Sequence, residues 1–117
     1  MGLDMRVISA RNSKQMEEDN FWSTLRSGFS SNYDEPRELI YWRKFWDLYR
    51  PMAERLKIDN GEYAQLSKED VEFMLEIATH HRDYFNTFDS VVEICELLDR
   101  FDEIEEHGMH IYFEGDY

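Results

Sequence analysis

Leu3-Asp4-Met5-Arg6-Val7-Ile8-Ser9-Ala10 opens the chain with a two-residue alternation. Leu3, Met5 and Val7 fall on one face and Asp4 and Arg6 on the other, which is the spacing of a β-strand. Met109-His110-Ile111-Tyr112-Phe113 alternates in the same way near the far end, with Gly108 before it and Gly115 after it. A lone strand leaves its backbone donors and acceptors unpaired, so two strands at opposite ends of a small chain are natural partners. The expectation is a small antiparallel sheet with these two strands at its centre.

Between the strands the spacing is helical. Residues 14–27 carry Met16, Phe21, Trp22 and Leu25 and suggest a short helix, followed by a polar loop over residues 28–34. Asp34 and Pro36 read as the start of a long helix over residues 35–57. In it Leu39, Trp42, Trp46, Tyr49, Ala53 and Leu56 recur every three or four residues, with a second apolar stripe of Tyr41, Phe45, Leu48 and Met52. Pro51 should kink or split that helix. A turn is expected at Asn60-Gly61, and a capping box of Ser67 and Asp70 should open a helix ending near His80. Thr87 or Asp89 should cap a last helix ending near Glu106, with Val91, Ile94, Cys95, Leu98 and Phe101 as its apolar face. The fold class expected is therefore α+β: a mostly helical single domain, residues 1–117, with a small antiparallel sheet pairing the N- and C-terminal strands.

Composition narrows the functions open to such a domain. The chain has 117 residues and a formal net charge of −13. Hydrophobic residues make up 42% of it and aromatic ones 15%, too many for a disordered acidic tail. A single cysteine, Cys95, cannot form an intrachain disulfide, and its place on an apolar helix face suggests a buried thiol. No signal peptide is read at the start, and no apolar run approaches the roughly 18 residues of a membrane span. The expected setting is the cytoplasm.

The charge is unevenly spread. Residues 1–58 hold nine acids against ten Lys and Arg, a net of +1, whereas residues 59–117 hold seventeen acids against Lys68, Arg82 and Arg100, a net of −14. Such a field repels DNA and anionic membranes and attracts basic surfaces. Glu96, Asp99, Asp102, Glu103 and Glu106 recur at three and four residues, so they share one face of the last helix, flanked by Glu93 and Glu105. Neighbouring carboxylates about 5–6 Å apart would imitate a row of phosphates, and would equally serve as a solvated face that keeps the protein soluble.

Other candidate chemistry is sparse. The aromatic and basic run Tyr41-Trp42-Arg43-Lys44-Phe45-Trp46 could stack nucleic acid, but helical spacing sends both tryptophans into the core. His80-His81 sits at a helix end, and His107-Gly108-Met109-His110 has a spacing open to metal, yet no zinc signature accompanies either. No cofactor motif is present: there is no GxGxxG, no Walker A sequence and no GxSxG. Asp4 could face His110 across the strand pair, where a carboxylate and an imidazole could exchange a proton or simply make a cross-strand contact.

Gly2-Leu3-Asp4-Met5 and Tyr41-Trp42-Arg43-Lys44 together resemble a group of small uncharacterised phage and prophage proteins that open with GLDM and carry YWRK farther on. This chain departs from the group after each stretch, with Arg6-Val7 following the first and Phe45-Trp46 the second. The resemblance implies a viral origin and no particular activity.

The leading functional expectation is thus a phage-encoded acidic binding or inhibitor protein, a DNA mimic in effect. Glu93, Glu96, Asp99, Asp102, Glu103 and Glu106 would dock on a basic, nucleic-acid-binding surface of a host protein. The alternative is a small enzyme or small-molecule binder with a pocket near Asp4, Tyr41, Arg43 and His110. A third reading is a homo-oligomeric structural protein using the aromatic surplus. Direct binding of nucleic acid or membrane, a metal and a cofactor are not expected.

Overall fold

The computed structural model describes residues 2–30, 32–81 and 89–117. Five strands form one sheet: β1 (Asp4–Ala10), β2 (Arg26–Ser27), β3 (Arg37–Arg43), β4 (Tyr63–Gln65) and β5 (His110–Asp116), in the order β2-β3-β1-β5-β4. The helices are α1 (Ser13–Met16), α2 (Phe21–Thr24), α3 (Trp46–Leu56), α4 (Lys68–His80) and α5 (Ser90–Glu106). The architecture is α+β, and β1 and β5 pair antiparallel side by side as the alternation at both ends predicts. Among the described strands only the short β2 runs parallel to its neighbour, β3.

The long helix expected over residues 35–57 is instead a strand followed by a helix. Arg37–Arg43 forms β3 and pairs antiparallel with β1 along its length. Lys44 then takes a left-handed conformation, φ 57°, and its amide donates to the Leu3 carbonyl at 2.7 Å, turning the chain into α3. Two physical features mislead the periodic reading. Ile40, Tyr41 and Trp42 are strand-favouring residues. A β-bulge opposite Val7 and Ile8 then leaves Leu39 as an extra residue, so that the adjacent Leu39 and Ile40 are both buried. Two adjacent buried residues satisfy a helical stripe as well as they satisfy a bulged strand. Pro51 does not split the chain here, since α3 is continuous from Trp46 to Leu56.

Smaller corrections have similar causes. The helix expected over residues 14–27 is two short ones, separated by residues 17–20 with Asn20 at φ 65°, and its last two residues, Arg26–Ser27, form β2 instead. Asp34 lies in the loop before β3 rather than capping a helix. The Asn60-Gly61 turn forms, with Gly61 at φ 79°, but the residues after it add β4 to the sheet edge. The Ser67–Asp70 capping box and the ends of α4 are as expected. Gly115 lies within β5 rather than ending it. Asp89 caps α5 by accepting from the Val91 amide, while Thr87 lies outside the described residues. The buried face of α5 is Ser90, Ile94, Leu97, Phe101 and Ile104, so Cys95 is exposed rather than buried.

The sheet has two unlike faces. Odd-numbered residues of β1 and β5, including Met5, Val7, Ile111 and Phe113, join Trp42 and the inner sides of α3, α4 and α5 in the main core. Even-numbered residues point the other way. Toward one end Ile8, Ala10 and Tyr112 are covered by Met16 of α1 and Phe21 of α2. Beyond that cover the same face is polar, carrying Asp4, Arg6, Glu38, Tyr41, Arg43, Glu114 and Asp116.

Candidate functional site

Two surfaces carry the residues that the sequence singled out. The first is the outer side of α5. Glu96, Asp99, Asp102, Glu103 and Glu106 lie along it, as their spacing requires. Two of the five are neutralised locally: Arg100 Nε lies 2.6 Å from Glu96, and Lys68 Nζ lies 3.0 Å from Asp102. Asp99, Glu103 and Glu106 are exposed and make no ion pair among the described residues. Arg100 is also anchored inward, donating to the Ser30 carbonyl and to the Tyr33 hydroxyl, so its charge is shared with the loop before β3.

Glu93 does not belong to that outer row. It sits on the inner shoulder of α5 and accepts from the indole Nε1 of Trp42 at 3.0 Å. Trp42 is fully buried, so its N–H requires a partner. The periodicity that groups Glu93 with the other acids cannot see a tryptophan on a distant strand.

The second surface is the open face of the sheet. Arg6 stands at its middle, between Glu38 on β3 at 3.0 Å and Glu114 on β5 at 3.2 Å. Its guanidinium lies 5.2 Å from the centre of the Tyr41 ring, and the Tyr41 hydroxyl donates to Asp4. Partial burial, the hydrogen bond to Asp4 and the Asp4 charge all push the Tyr41 phenol above its ordinary range. Glu114 is only 6% exposed. Burial pushes its carboxyl up; Arg6 pulls it back, and the nearby Asp116 and Asp4 add to the rise. A cavity of about 460 Å³ opens beside this network. Arg6, Glu38, Glu114 and Asp116 line it, with Trp22 and Leu25 forming an apolar wall.

The expected pocket of Asp4, Tyr41, Arg43 and His110 is therefore only partly assembled. Asp4 and Tyr41 are joined, and Asp4 is the cross-strand partner of Arg43. His110 is absent from the group. The β1–β5 register places Asp4 opposite Asp116 and His110 opposite Ala10. Six residues of strand, about 20 Å, separate the two positions. His110 instead approaches Gln65 at 3.3 Å and Glu105 at 3.5 Å. The residues missed were Arg6, Glu38, Glu114, Asp116 and Trp22. Parity along β1 and β5 places the first, third and fourth on one face, but Glu38 joins them only once residues 37–43 are a strand.

Other candidates are dispersed. Trp42 is a core residue as expected, though on a strand rather than a helix; Trp46 is only half-buried against that core, and Tyr41 is 41% exposed. His80 contacts the Glu76 carbonyl and His81 faces Asp47 at 3.9 Å. Among the described residues, no three His, Cys, Asp or Glu side chains gather closely enough to hold a metal ion, and no helix is long and apolar enough to cross a membrane. Comparison with protein-family models, with curated proteins and with solved structures finds no match to this chain.

Proposed function

We propose that this chain is a partner-binding protein that docks the outer face of α5 on a basic surface of another protein. One observation carries the reading: Asp99, Glu103 and Glu106 are exposed on a single helix face and unpaired among the described residues, beside the pairs made by Glu96 and Asp102. From Glu96 to Glu106 the row extends about 15 Å along the helix. Carboxylates so close repel one another, and a basic partner would turn that repulsion into attraction. Surfaces that hold nucleic acid are basic, so such a partner would be blocked from its own ligand. The likeness of the GLDM and YWRK stretches to phage proteins supports a viral protein acting on a host target.

The test is capture from host lysate on immobilised protein, comparing the natural chain with a variant carrying Asp99→Lys, Glu103→Lys and Glu106→Lys. A specific partner should be retained at low salt, released at high salt and lost with the triple variant, whose circular dichroism should be unchanged. Equal retention of that partner by both proteins would overturn the reading.

A further inference from the structure

The cavity on the open sheet face lies on the other side of the sheet from α5 and is independent of the docking surface above. From its lining we infer that it binds a small aliphatic polyamine, a chain carrying two or three ammonium groups.

The charge balance comes first. Among the described residues Arg6 is the one cation lining the cavity, and it is already engaged on both sides by Glu38 and Glu114. A bound anion would have to compete with these carboxylates for it. Asp116 adds a third carboxylate to the lining, so the wall as a whole is negative.

The strand register adds a second argument. Asp4 and Asp116 are direct cross-strand partners on β1 and β5. Like charges placed opposite each other destabilise a strand pair. Asp4 is eased by the Tyr41 hydroxyl and by Arg43, its cross-strand partner on β3, whereas Asp116 makes no ion pair among the described residues. A cation placed beside Asp116 removes the repulsion.

Shape distinguishes an extended organic cation from a compact metal ion. The lining carboxylates stand on β3 and β5, on either side of β1, with neighbouring strands about 4.8 Å apart. Arg6 already occupies the point between Glu38 and Glu114, and no metal-holding group is found among the described residues. Trp22, 44% exposed, and Leu25 form an apolar wall opposite the acids. An alkyl chain packs on that wall, an ammonium group can lie over the indole face, and the terminal ammonium groups reach the carboxylates. The volume of about 460 Å³ lies within the range of small-molecule sites.

The experiment is isothermal titration of the intact chain at 150 mM salt with 1,4-diaminobutane and spermidine, and with 1,4-butanediol as the uncharged counterpart. Both amines should bind one per chain, and the diol should give no heat. Asp116→Asn and Trp22→Ala, both at exposed positions, should each weaken amine binding about tenfold. Paired Glu72→Gln and Glu76→Gln, which remove the same kind of charge from α4 on the far side, should leave it unchanged. No amine binding at millimolar concentration overturns the inference. So does equal weakening by the α4 pair, which would mark a diffuse counter-ion effect. Loss of host-protein capture with the α5 variant leaves amine binding intact, so the two ideas fail separately.

Discussion

The Tyr49 ring occupies the space that a side chain at position 115 would need. A Cβ built on Gly115 would lie 2.1 Å from Tyr49 Cε1 and 2.6 Å from its Cδ1. The ring cannot simply swing aside, because it stacks on Phe113 and meets Trp46 and Tyr117 edge-on. This contact seats α3 on β5.

Gly115→Ala should therefore destabilise the fold by about 2–3 kcal/mol, the upper part of the range for overpacking. Urea denaturation would measure it. Adding Tyr49→Ala to Gly115→Ala should cost less than the sum of the two single losses, since the second change removes the clash. Simple additivity would mean that the ring is not what excludes the side chain.

Asp70 links a helix cap to α3. Its carboxylate accepts from the Ser67 amide at 2.8 Å and from Arg55 Nε at 2.7 Å. Burial works to raise its pKa, but the hydrogen bonds from Ser67 and Arg55 outweigh it and hold the carboxyl below its ordinary value of 3.8. The stability this adds is present above pH 3.8 and is lost as pH falls through the lowered value. Asp70→Asn should cost about 1 kcal/mol at pH 7, in line with loss of a cap. Thermal melts should show the difference from the natural chain shrinking as pH falls below 3.8.

Glu114 should behave in the opposite sense. Burial raises its carboxyl in the folded state, so that state keeps a proton which the unfolded chain releases near the ordinary value of 4.5. Its favourable contribution is complete below pH 4.5 and disappears as pH rises through the raised value. Measured against Glu114→Gln, the natural chain should lose relative stability as pH rises above 4.5. A difference that grows with pH in favour of the natural chain would mean that Arg6, not burial, dominates.

Glu93 and the outer acids of α5 should separate cleanly in stability. Glu93→Ala leaves the buried Trp42 N–H without this acceptor and should cost about 1–3 kcal/mol. Asp99→Ala, Glu103→Ala and Glu106→Ala should each stay within about 0.5 kcal/mol of the natural chain, as exposed changes do. Chemical denaturation of the four variants side by side provides the comparison.

The legible parts of this protein are those governed by local spacing. Alternation in residues 3–10 and 109–113 reveals the two strands that pair at the centre of the sheet. Ser67 and Asp70 mark the start of α4 because a capping box is a contact between residues three apart. The acidic face of α5 is visible for the same reason: Glu96, Asp99, Glu103 and Glu106 depend only on the turn of one helix. Residues 37–43 were not legible, because a bulged strand buries Leu39 and Ile40 side by side and imitates a helical stripe.

By itself, then, the sequence determined the α+β class, the terminal strand pair and the one-sided charge of α5, all set by repeats a few residues long. Tertiary structure alone decided what faces what. Register put Asp4 against Asp116 instead of His110, drew Glu93 inward to Trp42, and set Arg6 between Glu38 and Glu114. Those relationships join residues 32 to 112 positions apart, and they depend on which edge of β1 each strand takes and in which register. A one-residue slip would turn every side chain to the other face, and it is burial of the core side that holds the register.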